Sequence, residues 1–113
     1  MYKTSEFSSM TGLSKDTLRY YAEVGLLEPA FIHPDNKYRY YDDGSYFLAL
    51  LLGKLRRFGF SIKEMKTVMN DESFANLEKL LLEKKASMEK EAEDIEARIQ
   101  ELDEFIQSGK EEK

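Results

Sequence analysis

From Phe74 to Ile106 the chain contains no Pro and no Gly, and Phe74, Leu81, Met88, Ile95 and Leu102 recur every seven residues. The interleaved positions 78, 85, 92, 99 and 106 hold Glu, Lys, Ala, Ile and Ile. A seven-residue apolar repeat on helix-forming residues is a coiled-coil seam, and here both sets are apolar only from residue 88 to 106. A lone helix would leave that stripe in water. A partner helix is therefore expected, most simply from a second copy of the chain, which makes the protein a homodimer. The expected dimerisation residues are Leu81, Met88, Ala92, Ile95, Ile99, Leu102 and Ile106.

The charge of the 113-residue chain is divided as sharply as its pattern. Its net charge is −5, but residues 1–66 carry 10 Lys/Arg against 8 Asp/Glu, while residues 67–113 carry 7 against 14. All seven Tyr and five of the seven Phe fall in the first part. The expected organisation is a compact aromatic module over 1–70, a helix over 71–107 and a tail or linker over 108–113. With no Cys and one His, thiolate nucleophiles, disulfides and Cys-type zinc sites are excluded. No apolar run approaches the roughly 18 residues of a membrane span, and MYKTSEF is not a signal peptide, which suggests a cytoplasmic protein. No titratable pair has a recognisable catalytic spacing, so an enzyme is not expected and no cofactor or metal site is implied.

The first part divides by its turn and capping residues. Thr4 or Ser5 suits the cap of a short helix that ends at Gly12. Ser14 opens a second, Lys15 to about Val24, stopped by Gly25, with Asp16 at the positive end of its dipole. Two short helices around a Gly-containing turn make a helix-turn-helix. AFIH and KYRYYD flank HPDN, which predicts a hairpin, or wing. A helix over Tyr46–Arg57 is expected to bury positions 47, 48, 51, 52 and 55. Ser61-x-x-Glu64 is a capping box that opens another helix through about Val68.

Three segments carry a resemblance to a known family. LRYYAEVGLLEP, NKYRYYDDGS and LRRFGFSIKEM resemble, in order and spacing, the MerR family of transcription regulators. The resemblance covers residues 2 to about 70 and extends to the long helix by architecture. It implies a mainly α fold: a winged helix-turn-helix with a small β-hairpin wing, then a long helix forming an antiparallel coiled-coil dimer. The DNA-binding residues expected on the second helix are Lys15, Thr17, Arg19, Tyr20 and Tyr21. Lys15 and Thr17 lie near the helix N-terminus, where recognition helices read base edges. Arg19 suits a guanine or a phosphate. Either Tyr could instead be core. On the wing, alternation sets Tyr38 and Tyr40 on one face and Arg39 and Tyr41 on the other. One face should pack on the helices and the opposite face offer Arg39 to DNA; Lys37 and Tyr38 are the other contacts expected on the wing. In LRRFGFS the expected contacts are Arg56, Arg57, Ser61 and Lys63, the last two at a helix N-terminus suited to phosphate. One of the two arginines could instead pair with Asp42, Asp43 or Glu64. Phe58 and Phe60 are expected to be core.

The resemblance also implies double-stranded DNA as partner, with a pseudopalindromic operator between promoter elements. Bending and untwisting that spacer would bring the elements into register for RNA polymerase. The absent cysteines disfavour metal and redox sensing, and the Asp-Asn-x-Tyr-Arg-Tyr-Tyr wing is closer to the multidrug-responsive branch. That branch implies a small-molecule effector bound by a domain outside this chain, which is then either the N-terminal part of a longer protein, cut in the Gln107-Ser108-Gly109 stretch, or a natural short form. Two other functions fit parts of the pattern. An excisionase-like architectural protein would share the winged helix but have no use for the seam. A coiled-coil adaptor would keep the aromatics as core and bind no DNA.

Overall fold

A computed structural model describes residues 1–111. The chain divides into two units, residues 1–74 and the part from Ala75 onward.

The first unit begins with β1 (Tyr2–Lys3), α1 (Thr4–Thr11) and α2 (Lys15–Glu23). Next come β2 (Phe31–Ile32) and β3 (Arg39–Tyr41), then α3 (Asp43–Arg57) and α4 (Ile62–Asn70). Gly12, at φ 77°, takes the left-handed conformation that ends α1. Ser14 caps α2 as expected, its hydroxyl accepting from the Thr17 N–H at 3.0 Å. The capping box of α4 is also present. Ser61 N–H donates to Glu64 Oε1 at 2.9 Å, and Glu64 N–H donates to Ser61 Oγ at 3.1 Å.

Several expectations are corrected. The cap of α1 is Lys3, whose N–H donates to Glu6 Oε1 at 3.1 Å, so Thr4 and Ser5 fall inside the helix. The reason lies one residue earlier. Tyr2 and Lys3 are extended because they pair antiparallel with Tyr41 and Tyr40, which adds a third strand to the hairpin and gives the order β1-β3-β2. On the other edge Phe31 pairs with Tyr40 and Ile32 with Arg39. α3 starts three residues before Tyr46 because the Asp42 carboxylate accepts from Ser45 N–H at 2.8 Å. Its buried face is then Ser45, Ala49, Leu52 and Leu55, and Phe47 is 69% exposed.

The core of this unit gathers Phe7 of α1, Leu13 of the turn, and Leu18 and Tyr21 of α2. Leu26 and Leu27 join them, as do Tyr41, Leu52, Leu55, Phe60, Met65 and Val68. Of the two phenylalanines expected in the core, Phe60 is there, whereas Phe58, the C-cap of α3, is exposed; Tyr21 takes the core alternative left open for it. The wing is turned over relative to expectation. Tyr41, which shares its parity with Arg39, is the buried one, because Phe7 offers it a flat partner.

The second unit is α5 (Leu77–Glu111), a helix of 35 residues with no buried side chain. Phe74 is not part of it. Its backbone is left-handed (φ 52°), so the repeat on the helix begins at Leu81. Helix also continues past Gln107 through Ser108 and Gly109, where a tail was expected. A single glycine costs a helix about 1 kcal/mol relative to alanine, less than is needed to stop it. The remainder of that tail, Glu112 and Lys113, lies outside the described residues.

Candidate nucleic-acid interface

Two open clefts flank α2, and between them they collect most of the residues singled out from sequence. The first, about 460 Å³, lies between the start of α1, the start of α2 and the wing. Lys15, Arg19, Lys37, Tyr38 and Arg39 line it, together with Lys3, Thr4 and Ser5. Five cationic side chains thus converge from three elements far apart in sequence. Lys37 comes from the wing turn, held in a left-handed conformation (φ 63°) by its N–H donating to His33 O at 2.9 Å. The same turn is pinned by Asp35 N–H donating to His33 Nδ1 and Tyr38 N–H donating to Asn36 Oδ1. Converging cations around an open concavity create a field that attracts a polyanion.

The second cleft, also about 460 Å³, lies on the other flank of α2. Asp16, Thr17, Tyr20, Tyr21, Arg56, Phe60, Ser61, Ile62 and Met65 line it. Arg56 Nη1 reaches Thr17 Oγ1 at 3.4 Å, a long contact that leans the guanidinium toward α2. Ser61 supplies the start of α4, where free N–H groups and the helix dipole favour an anion. Tyr21 settles the question raised by its Tyr-Tyr pair in an intermediate way. Its ring is core, at 2% exposure, while its hydroxyl has no hydrogen-bond partner among the described residues. Tyr20 is different: 47% exposed, its ring tilted against that of Tyr21 at 6.5 Å.

The remaining candidates sit at the edges. Arg57 joins Lys54 and Arg56 around a third concavity, about 580 Å³, against the Thr11-Gly12-Leu13 turn. Lys63 is exposed on the first turn of α4. Arg19 lies 3.9 Å from Asp16, with both side chains mostly in water, which leaves the guanidinium free to exchange partners. Sequence reasoning missed Lys3, Thr4 and Ser5. The only available signal was a cation next to a Thr-Ser helix start, and its meaning depends on the unforeseen pairing of β1 with β3. Among the described residues no group of His, Cys, Asp and Glu has the arrangement of a metal site, and no helix is long and apolar enough to cross a membrane.

A helix flanked by a basic wing on one side and by a helix N-terminus with an arginine on the other is a winged helix-turn-helix. The chain belongs to the MerR family: residues 2–72 match the profile described as MerR HTH family regulatory protein. It is similar to the multidrug-efflux transporter 1 regulator of Bacillus subtilis (strain 168), with 37% identity over 65 residues, 58% of this chain and 23% of that protein. The chain therefore spans about a quarter of the length of that curated relative. Among solved structures it is similar to EcmrR in a DNA complex in EcmrR-RPo, with TM-score 0.79 and 28% identity over 97% of this chain and 40% of that one. It also matches the N-terminus of MtaN, the Bacillus subtilis multidrug transporter activator, with TM-score 0.85 over 94% of this chain and 98% of that one. At 24% identity this second likeness is one of fold.

Proposed function

We propose that this chain is a sequence-specific DNA-binding transcription regulator that acts as a homodimer in the cytoplasm. The observation that carries the proposal is the pair of clefts flanking α2, one lined by Lys3, Lys15, Arg19, Lys37 and Arg39 and the other by Thr17, Tyr21, Arg56 and Ser61. With α2 in a major groove, the two clefts would meet the phosphates on either side of it. Lys15, Thr17, Arg19 and Tyr20 would face the groove and its rim. Lys37, Tyr38, Arg39, Arg56, Arg57, Ser61 and Lys63 would position the unit through the backbone.

The second unit supports the dimer. α5 is roughly 50 Å long, and Met88, Ile95, Ile99, Leu102 and Ile106 are all about half exposed on it. An antiparallel pairing with a second copy would cover that stripe. It would also carry two recognition helices to two half-sites of a pseudopalindrome, with residues 1–70 as the DNA-binding domain and 71–107 as the dimerisation segment. EcmrR is solved with DNA in EcmrR-RPo, and by analogy this chain would act on a promoter together with RNA polymerase, by deforming the DNA it binds. Response to a small-molecule effector would require a further domain.

Selection from a random duplex library at two salt concentrations tests the proposal. Enrichment of a pseudopalindrome, weakening steeply with salt, is expected. No enrichment at either concentration would overturn it in favour of a coiled-coil adaptor.

A further inference from the structure

Asp16 is an unexpected residue for a helix that meets a polyanion. It occupies the second position of α2, with its side chain 93% exposed, on a face otherwise made of Lys15, Thr17, Arg19 and Tyr20. Two local roles do not account for it. A carboxylate in the first turn complements the helix dipole, but Ser14 already caps α2 by accepting from Thr17 N–H. The contact with Arg19 is 3.9 Å long between two solvated side chains, too loose to be its main purpose. Placed near DNA, an unpaired carboxylate would be repelled by every phosphate around it. It needs a donor on the surface it meets.

The major groove offers two such donors, the exocyclic amino groups of cytosine and adenine. Adenine sets the N7 acceptor beside its amino group, which repels a carboxylate. Cytosine has no acceptor beside its own on the groove edge. We infer that Asp16 is a specificity-determining residue whose carboxylate accepts a hydrogen bond from the N4 amino group of a cytosine in each half-site. The inference rests on the DNA-binding reading and goes beyond it by naming a base. Arg19 lies three residues on, roughly 4.5 Å along the helix axis, and its guanidinium suits the O6 and N7 of a guanine in the same or the next base pair. The loose Asp16–Arg19 approach keeps both side chains over the same strip of groove and exchanges for base contacts on binding.

The test is binding-site selection with the full chain, comparing wild type with Asp16→Ala and Asp16→Asn. Both substitutions are at an exposed side chain, and thermal melts verify folding. The wild-type site is expected to contain one strongly preferred cytosine per half-site. Asp16→Ala loses that preference, roughly tenfold or more, with the other positions unchanged. Asp16→Asn moves the preference at the same position to adenine, whose N6 and N7 match an amide. Variants that select the wild-type site unaltered and bind every sequence more tightly would show that Asp16 contributes only repulsion, and would overturn this inference alone. A wild-type chain that selects nothing would overturn the DNA-binding reading and this inference together.

Discussion

Phe7 and Tyr41 stack face to face, their ring centroids 4.3 Å apart and their planes 6° from parallel. One belongs to α1 and the other to the central strand of the sheet, and both are fully buried. The pair fastens the wing to the helix-turn-helix, and such stacking adds about 0.5–1.5 kcal/mol beyond area burial. The Tyr41 hydroxyl has no partner among the described residues. Burial raises its pKa, against a smaller downward pull from Arg39.

A buried hydroxyl with no partner costs about 1–3 kcal/mol. Tyr41→Phe keeps the stacked ring and removes that cost, so stability should be unchanged or rise by about 1 kcal/mol. Phe7→Ala should lose about 3–5 kcal/mol. Urea melts followed by far-ultraviolet dichroism measure both. A clear loss of stability in Tyr41→Phe would mean that the hydroxyl is bonded after all.

Tyr21 carries the same kind of orphan hydroxyl, but its residue lines the cleft with Arg56 and Ser61. The two tyrosines should therefore behave differently on DNA. Tyr21→Phe is expected to fold as well as wild type yet lose about 1–3 kcal/mol of operator affinity, the worth of a hydrogen bond to a charged acceptor. Tyr41→Phe should bind unchanged. Equal affinities for the two variants, read by fluorescence anisotropy, would leave the Tyr21 hydroxyl without a role at DNA.

Arg56 lines the same cleft and reaches only a neutral partner, Thr17, at 3.4 Å. If it neutralises one phosphate, Arg56→Ala lowers the slope of log K against log salt by about 0.9 per half-site. Affinity should fall on all sequences alike, because a phosphate contact carries no base information. A change of sequence preference with an unaltered slope would instead place Arg56 at a base.

Asp42 links stability to pH. Hydrogen bonds from the Ser45 N–H and side chain hold its carboxyl below the usual carboxylate range. A carboxyl with a depressed folded pKa contributes stability that is fully present above its unfolded pKa of about 4. That contribution is lost as pH falls through the lower folded value. Asp42→Asn keeps an acceptor at the cap but does not titrate. The stability advantage of wild type over Asp42→Asn should accordingly shrink on going from neutral pH to pH about 3. A difference that stays constant across that range, in denaturant melts at each pH, would mean the cap does not depend on the carboxylate charge.

What could be read from sequence was the chemistry of neighbours. Ser14 caps α2, and Ser61 and Glu64 form their box, because each needs only residues three positions apart. The glycine stops work the same way, since Gly12 and Gly25 both have positive φ. What could not be read depended on distant partners. Two residues, Tyr2 and Lys3, carry no strand pattern, and only β3 beside them makes them a strand. Phe47 fits an apolar helix face by spacing, but burial follows whichever face meets α1, and Ser45, Ala49 and Leu52 take it. The wing inverted because the choice between Tyr40 and Tyr41 was made by Phe7, more than thirty residues away. The basic cleft shares that dependence, since Lys3 enters it only through the same pairing.

Ile95 and Ile99 sit one turn apart on α5, each about half exposed, at the middle of the stretch where both heptad positions are apolar. In a dimer they would be the centre of the seam, and a charge at the centre can neither reach water nor find a partner. Ile95→Asp combined with Ile99→Asp is expected to give monomers by analytical ultracentrifugation. The unit formed by residues 1–74 has its own core and should keep its thermal transition. Operator affinity should drop to that of a single half-site, because the second recognition helix is no longer tethered to the first. A double variant that sediments as a dimer would move the interface off this stripe. A double variant that is monomeric but binds the full operator as tightly as wild type would show that the two half-sites are not read by one dimer.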